Sequence, residues 1–125
     1  MKFASLLTAT LIAIAAPAVH AHAEHGQPQY GGIYGEAGTF QAELVVKGSK
    51  VTLYLTVHGE PLSAHGASGK LTVLGADGKS EVELKPAADN QLVAHLKNPL
   101  AKGAKIVASV ALPGKAAANV RYSIE

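Results

Sequence analysis

The sequence predicts an all-β protein: an immunoglobulin-like β-sandwich of about seven strands, preceded by an extended N-terminal arm and a signal peptide. Three observations predict it. From residue 40 onward apolar residues alternate with polar ones at a period of two, not at the three-and-four spacing of a helix. Turn signals interrupt that alternation every 8–12 residues or so, the rhythm of a sandwich. Val and Thr, which fit a pleated surface, are frequent throughout.

The elements follow in order. Phe40, Ala42, Leu44 and Val46 alternate with Gln41, Glu43, Val45 and Lys47, and Gly48-Ser49 turns the chain. Val51, Leu53, Leu55 and Val57 then alternate with Thr52, Tyr54, Thr56 and His58, which completes a hairpin. A Gly-rich loop containing Pro61 and His65 leads to a short strand over 71–74. Ala76-Asp77-Gly78 is a turn signal, and Val82 and Leu84 mark the returning strand. Residues 86–90 turn again. Leu92, Ala94 and Leu96 define a fifth strand, which Asn98-Pro99 ends, with space for one helical turn over 98–102. Ile106, Ala108, Val110 and Leu112 make a sixth strand, and Val120, Tyr122 and Ile124, after the Pro113-Gly114 turn, a seventh. The polar, Gly-rich stretch 22–39 has no helical period and reads as the arm.

The first residues read as an export signal. Lys2 supplies positive charge, Leu6 to Ala16 is an apolar run, Pro17 ends it, and small residues follow at Ala18, Ala21 and Ala23. That run is shorter than the roughly 20 apolar residues that span a bilayer. Cleavage after Ala21 or after Ala23 satisfies the small-residue rule; the first leaves 104 of the 125 residues, enough for one domain. The expected organisation is therefore a signal peptide over 1–21, an arm over 22–39 and a β-sandwich over 40–125. The expected location is the periplasm, with no membrane span after signal removal.

Composition narrows the chemistry. The chain has no Cys, so disulfides and thiolate ligands are excluded, and its one Met is Met1. A formal charge of +2 without a Lys or Arg run argues against a nucleic-acid partner. No G-x-S-x-G elbow, phosphate loop or H-E-x-x-H motif occurs, and the expectation is that the protein is not an enzyme. Six His are the unusual component. With no sulfur donor, a metal site here would use imidazole and carboxylate, which suits Cu(II), Zn(II) or Ni(II), the first two being the expected ions. The candidate ligands are His25, His58 and Glu36, with His65 and His22 in support. They converge if the arm folds back over the 58–66 end of the domain. Each also has a plain alternative as a solvated or hydrogen-bonded surface residue; His95, between Ala94 and Leu96, reads as structural or exposed. Cleavage after Ala21 would make His22 the N-terminus, so that its α-amine and imidazole could chelate one Cu(II) ion.

The arm HGQPQYGGIYGEAG, the strand end VHGEPL and the segment HGASGKLTVLGADGKSEVELKP resemble a group of small periplasmic proteins of Gram-negative bacteria. That group's pattern is H-G-x-x-H-G-G, then E-A-G, H-G-x-P and G-A-S-G-K-L-T-V-L. Similar stretches occur in periplasmic adaptor subunits of heavy-metal efflux pumps of the resistance-nodulation-division class. On this chain the pattern falls on His25, Gly31-Gly32, Glu36 and His58, while its second His falls on Tyr30. The resemblance implies association with metal efflux, with a heavy-metal efflux complex or another periplasmic protein as partner. The alternative expectation is a non-enzymatic β-sandwich interaction module in which the His are incidental.

Overall fold

The computed structural model describes residues 26–125. The expected signal peptide, both candidate cleavage points, and His20, His22 and His25 lie outside the described residues. Within them the protein is all-β, with nine strands in an antiparallel arrangement. In chain order these are β1 (Ile33–Glu36), β2 (Gln41–Lys47), β3 (Lys50–Val57), β4 (Glu60–Pro61), β5 (Ser68–Gly75), β6 (Gly78–Pro86), β7 (Gln91–His95), β8 (Lys105–Ala111) and β9 (Ala118–Ser123). All seven strands expected from the alternation are present. The count rises to nine because Ile33–Glu36, inside the expected arm, pairs with β2 from Ile33↔Leu44 to Glu36↔Gln41, and because β4 adds two residues to β3. Among the described residues no helix forms, and the stretch 98–102 is irregular, with a turn closed by Ala104 N–H donating to Ala101 O.

The layering also departs from two separate sheets. The strands follow one path, β1-β2-β3-β7-β6-β5-β8-β9. The continuity lies in β6: its residues from Gly78 to Leu84 pair with β5, while Lys85 and Pro86 pair with Val93 and Leu92 of β7. One strand thus serves both layers, and the sheet wraps into a nearly closed barrel. β1 and β9 end the path and pack against each other without a hydrogen-bonded ladder between them among the described residues. Gly35 makes this close approach feasible, since a Cβ there would collide with Val120 and lie 2.9 Å from the Tyr122 ring. The Tyr122 hydroxyl then crosses the seam and donates to Ala42 O at 2.7 Å.

The core follows the sequence alternation. Ala42, Leu44, Val51, Leu53, Leu55, Leu71, Leu84, Leu92, Ile106, Val110 and Val120 face inward and are almost wholly buried. Each large aliphatic removed from water stabilises the fold by about 1.5–3 kcal/mol. The core is aliphatic, with Phe40 and Tyr122 its only buried aromatics among the described residues. It fixes which face of β2 and β3 looks outward, and that outward face carries the site.

Candidate functional site

The residues on the outward face of β1, β2 and β3 are Tyr34 and Glu36, Gln41 and Glu43, and Tyr54 and Thr56. Register sets them in two rungs: Glu36, Gln41 and Thr56 across one, and Tyr34, Glu43 and Tyr54 across the next. The alternation leads one to expect a solvated face. Instead Glu43, Thr52 and Thr56 are buried, Glu43 to 5 % exposure. The reason is tertiary. Residues 26–32 cross this face before entering β1, and they are tied down along the way.

Three kinds of contact hold that crossing. The Glu43 carboxylate accepts backbone N–H groups from Gln29, from Tyr30 at 2.8 Å and from Gly32 at 2.8 Å. The Tyr30 ring stacks on Tyr54, with centroids 4.0 Å apart and planes within 6°. Buried Asn90 donates to the Tyr30 hydroxyl at 3.2 Å and to Leu55 O at 2.9 Å. Gly32 is required where the arm meets the sheet, because a Cβ there would fall onto the Leu44 carbonyl.

His58 sits at the open end of the same face. It follows β3 in the two-residue turn His58-Gly59 that leads into β4, with φ of +49° and +82°. Positive φ at both central positions is the type I′ hairpin geometry, which matches strand twist and favours Asn and Gly. A His here is held in the left-handed region by the hairpin, with its N–H donating to the Gln41 side chain at 3.0 Å. A small polar cavity, about 10 Å³, opens beside it, lined among others by Gln27, Gln29, Tyr34, Gln41, Glu43 and His58. That is about the space one water molecule occupies. Gln27 and Gln29, in the described part of the arm, thus lie beside the His58-Gly59 turn.

Glu36 is exposed and accepts a hydrogen bond from the Tyr34 hydroxyl at 2.7 Å. Partial burial raises the Tyr34 phenol above its ordinary pKa. The hydrogen bond to Glu36 and that residue's negative charge raise it further, against a smaller lowering from Gly26. Gly26, the first described residue, lies against the same ring: a Cβ there would be 3.7 Å from Tyr34 Cε1. His65 is exposed in the loop between β4 and β5, its N–H bonded to Ser63 Oγ. Gly66 beside it approaches Pro113, in the turn between β8 and β9. His95 is exposed at the end of β7, opposite Lys50. Among the described residues, no three His, Asp or Glu side chains stand close enough together to hold one metal ion.

Glu43 is the residue the sequence reading missed. It occupies a polar position in a regular alternation, where solvation is the ordinary outcome. The one local hint was Val45, an apolar residue on the same outward face. Comparison with known proteins found no matching family model, curated protein or solved structure.

Proposed function

We propose that the chain is a periplasmic, non-enzymatic metal-binding protein that handles Cu(II)- or Zn(II)-type ions beside a heavy-metal efflux or resistance system. Its ligands are His25, His58 and Glu36, with His65 or His22 in support. One observation carries the reading: the arm crosses the His58 turn. Gln27, Gln29 and Tyr34 line the same small cavity as His58, and Gly26 lies on Tyr34, whose hydroxyl engages Glu36. His25, the residue before Gly26 in the sequence, is the arm's imidazole in this reading. The donor set is nitrogen and oxygen, which matches borderline divalent ions.

The test is isothermal titration of the mature protein with Cu(II) and with Zn(II). His25→Ala and His58→Ala are expected to weaken binding about tenfold or more, while His95→Ala leaves it unchanged. Binding should fall off below about pH 6, because a coordinating imidazole must be neutral and its ordinary pKa is about 6.5. Equal affinity in all three variants would make the His bystanders and leave the interaction-module reading. Comparing the protein that begins at His22 with one carrying an extra preceding residue reads the α-amine chelate separately.

A further inference from the structure

We propose that the cleft between β6 and residues 96–101 captures the carboxyl terminus of an extended polypeptide, which adds a strand to the free edge of β6 and sets its terminal carboxylate at Lys97. The cleft lies at the opposite end of β3 from His58 and is independent of the metal reading. His95, just before it, pairs with Lys50 at the start of β3, whereas His58 follows the end of that strand.

The cleft is where the sheet comes unzipped. β6 and β7 meet at Lys85↔Val93 and Pro86↔Leu92. Carried on in that register, His95 would face Glu83 and Lys97 would face Glu81. The chain beyond β7 follows β3 instead: His95 pairs with Lys50, and Leu96 N–H donates to Ser49 O at 2.7 Å. Asn98-Pro99 then stops any ladder, since Pro has no N–H to give. Among the described residues no backbone hydrogen bond joins 79–83 to 96–101. The two walls diverge and leave a wedge of about 370 Å³, within the roughly 300–1,000 Å³ of ordinary ligand sites.

Its chemistry fits a polypeptide. From Gly78 to Leu84, β6 is bonded to β5 on one side only. In an antiparallel pair, residues alternate between exchanging both backbone bonds and exchanging neither. Every second residue of this stretch therefore turns its N–H and C=O away from β5, and such an edge is a template for another strand. The floor of the wedge is apolar. Val73, Val82, Leu96 and Leu100 line it and are only partly buried, beside buried Ala104. Alternate side chains of an added strand all point to one face, and that face would cover them.

Shape and charge set the direction. The wedge is blind where β6 and β7 converge, so a chain lying along β6 must end there. Four charged residues line it. Asp77 is in the turn between β5 and β6, at the far end; Lys79 bonds Glu81 at 3.4 Å, and Glu81 also bonds Lys70. Lys97 enters neither of these ion pairs, the two found among the described residues, and follows directly on Leu96 at the blind side. A cation toward the blind end and an anion at the entrance favour a terminal carboxylate over a terminal amine. The captured strand thus runs parallel to β6, and its last side chain is apolar.

The experiment screens the purified protein against random hexapeptides displayed with free carboxyl termini, then synthesises the selected peptides as acids and as amides. The readouts are the dissociation constant by fluorescence anisotropy and amide hydrogen exchange of the protein. Selected sequences should converge on an apolar last residue, and the amide should bind about tenfold or more weakly. Lys97 is exposed; Lys97→Ala should weaken the acid by a similar factor and the amide little, while Lys115→Ala, in the turn between β8 and β9, changes neither. Bound peptide should slow exchange at alternate residues of 79–83, and N-methylation of alternate peptide residues should abolish binding. Equal affinity for acid and amide, or equal affinity in the two Lys variants, would overturn carboxylate capture. Binding without protection of 79–83 would overturn edge pairing. Selection of no peptide would overturn the site. Protection of 79–83 that rises with protein concentration alone would assign the edge to a second copy of the chain and overturn the proposal in that way.

Discussion

Replacing Tyr122 with Phe removes one oxygen atom from the seam between β9 and β2, and its effect on stability should reverse sign with pH. At neutral pH the hydroxyl donates to Ala42 O at 2.7 Å inside the core. Losing that bond inside the core costs about 1–2 kcal/mol. For a domain of this size that is roughly 5–15 °C in Tm. The same phenol is unfavourable to ionise. Burial first, and then the negative charge of Glu43, push its pKa well above the ordinary value of 10.0. The sign follows directly. Unfolded Tyr loses its proton near pH 10 while the folded one keeps it, so the folded state binds more protons. The stability from Tyr122 is complete below pH 10 and is lost as pH rises toward the folded value, at about 1.4 kcal/mol per pH unit. Phe has no proton to lose. The unaltered protein should therefore be the more stable at pH 7, and the two should become equally stable between about pH 10.5 and 11.5. Urea denaturation followed by circular dichroism at half-unit steps from pH 7 to 11.5 reads both curves. Parallel curves across that range would show that the Tyr122 hydroxyl is neither buried nor bonded as described.

Two further outcomes test other parts of the fold. Gly32→Ala puts a methyl group onto the Leu44 carbonyl, so residues 26–32 must lift or β2 must move; a loss of about 2 kcal/mol or more is expected by chemical denaturation, with faster exchange at residues 29–32. His58→Asn keeps the turn, because Asn accepts the left-handed conformation that His58 adopts at φ +49°; its stability should stay within about 0.5 kcal/mol of the parent by the same assay, while metal binding falls.

The sequence by itself determined the strands that build the core. Residues 40–47 and 51–57 alternate because one face must be buried and the other need not be, and that local pattern survives in β2 and β3. The turns at 48–49, 76–78 and 113–114 were legible for a similar reason: Gly, Pro and Asp state their backbone preferences without reference to anything distant. His58 was legible as a residue at a strand end facing the polar side. What alternation could not report is what covers the polar side. Its period distinguishes an apolar face from a polar one, but a carboxylate under a crossing backbone and a carboxylate under water look the same in sequence. Only the tertiary structure brought the backbone of residues 29–32 to Glu43, stacked Tyr30 on Tyr54 and turned 33–36 from arm into strand. Strand count and closure were decided at the same level. That β6 serves both layers depends on where along it the partner changes from β5 to β7, and that Gly35 lets β1 meet β9 depends on contacts with the distant Val120 and Tyr122; no local period encodes either.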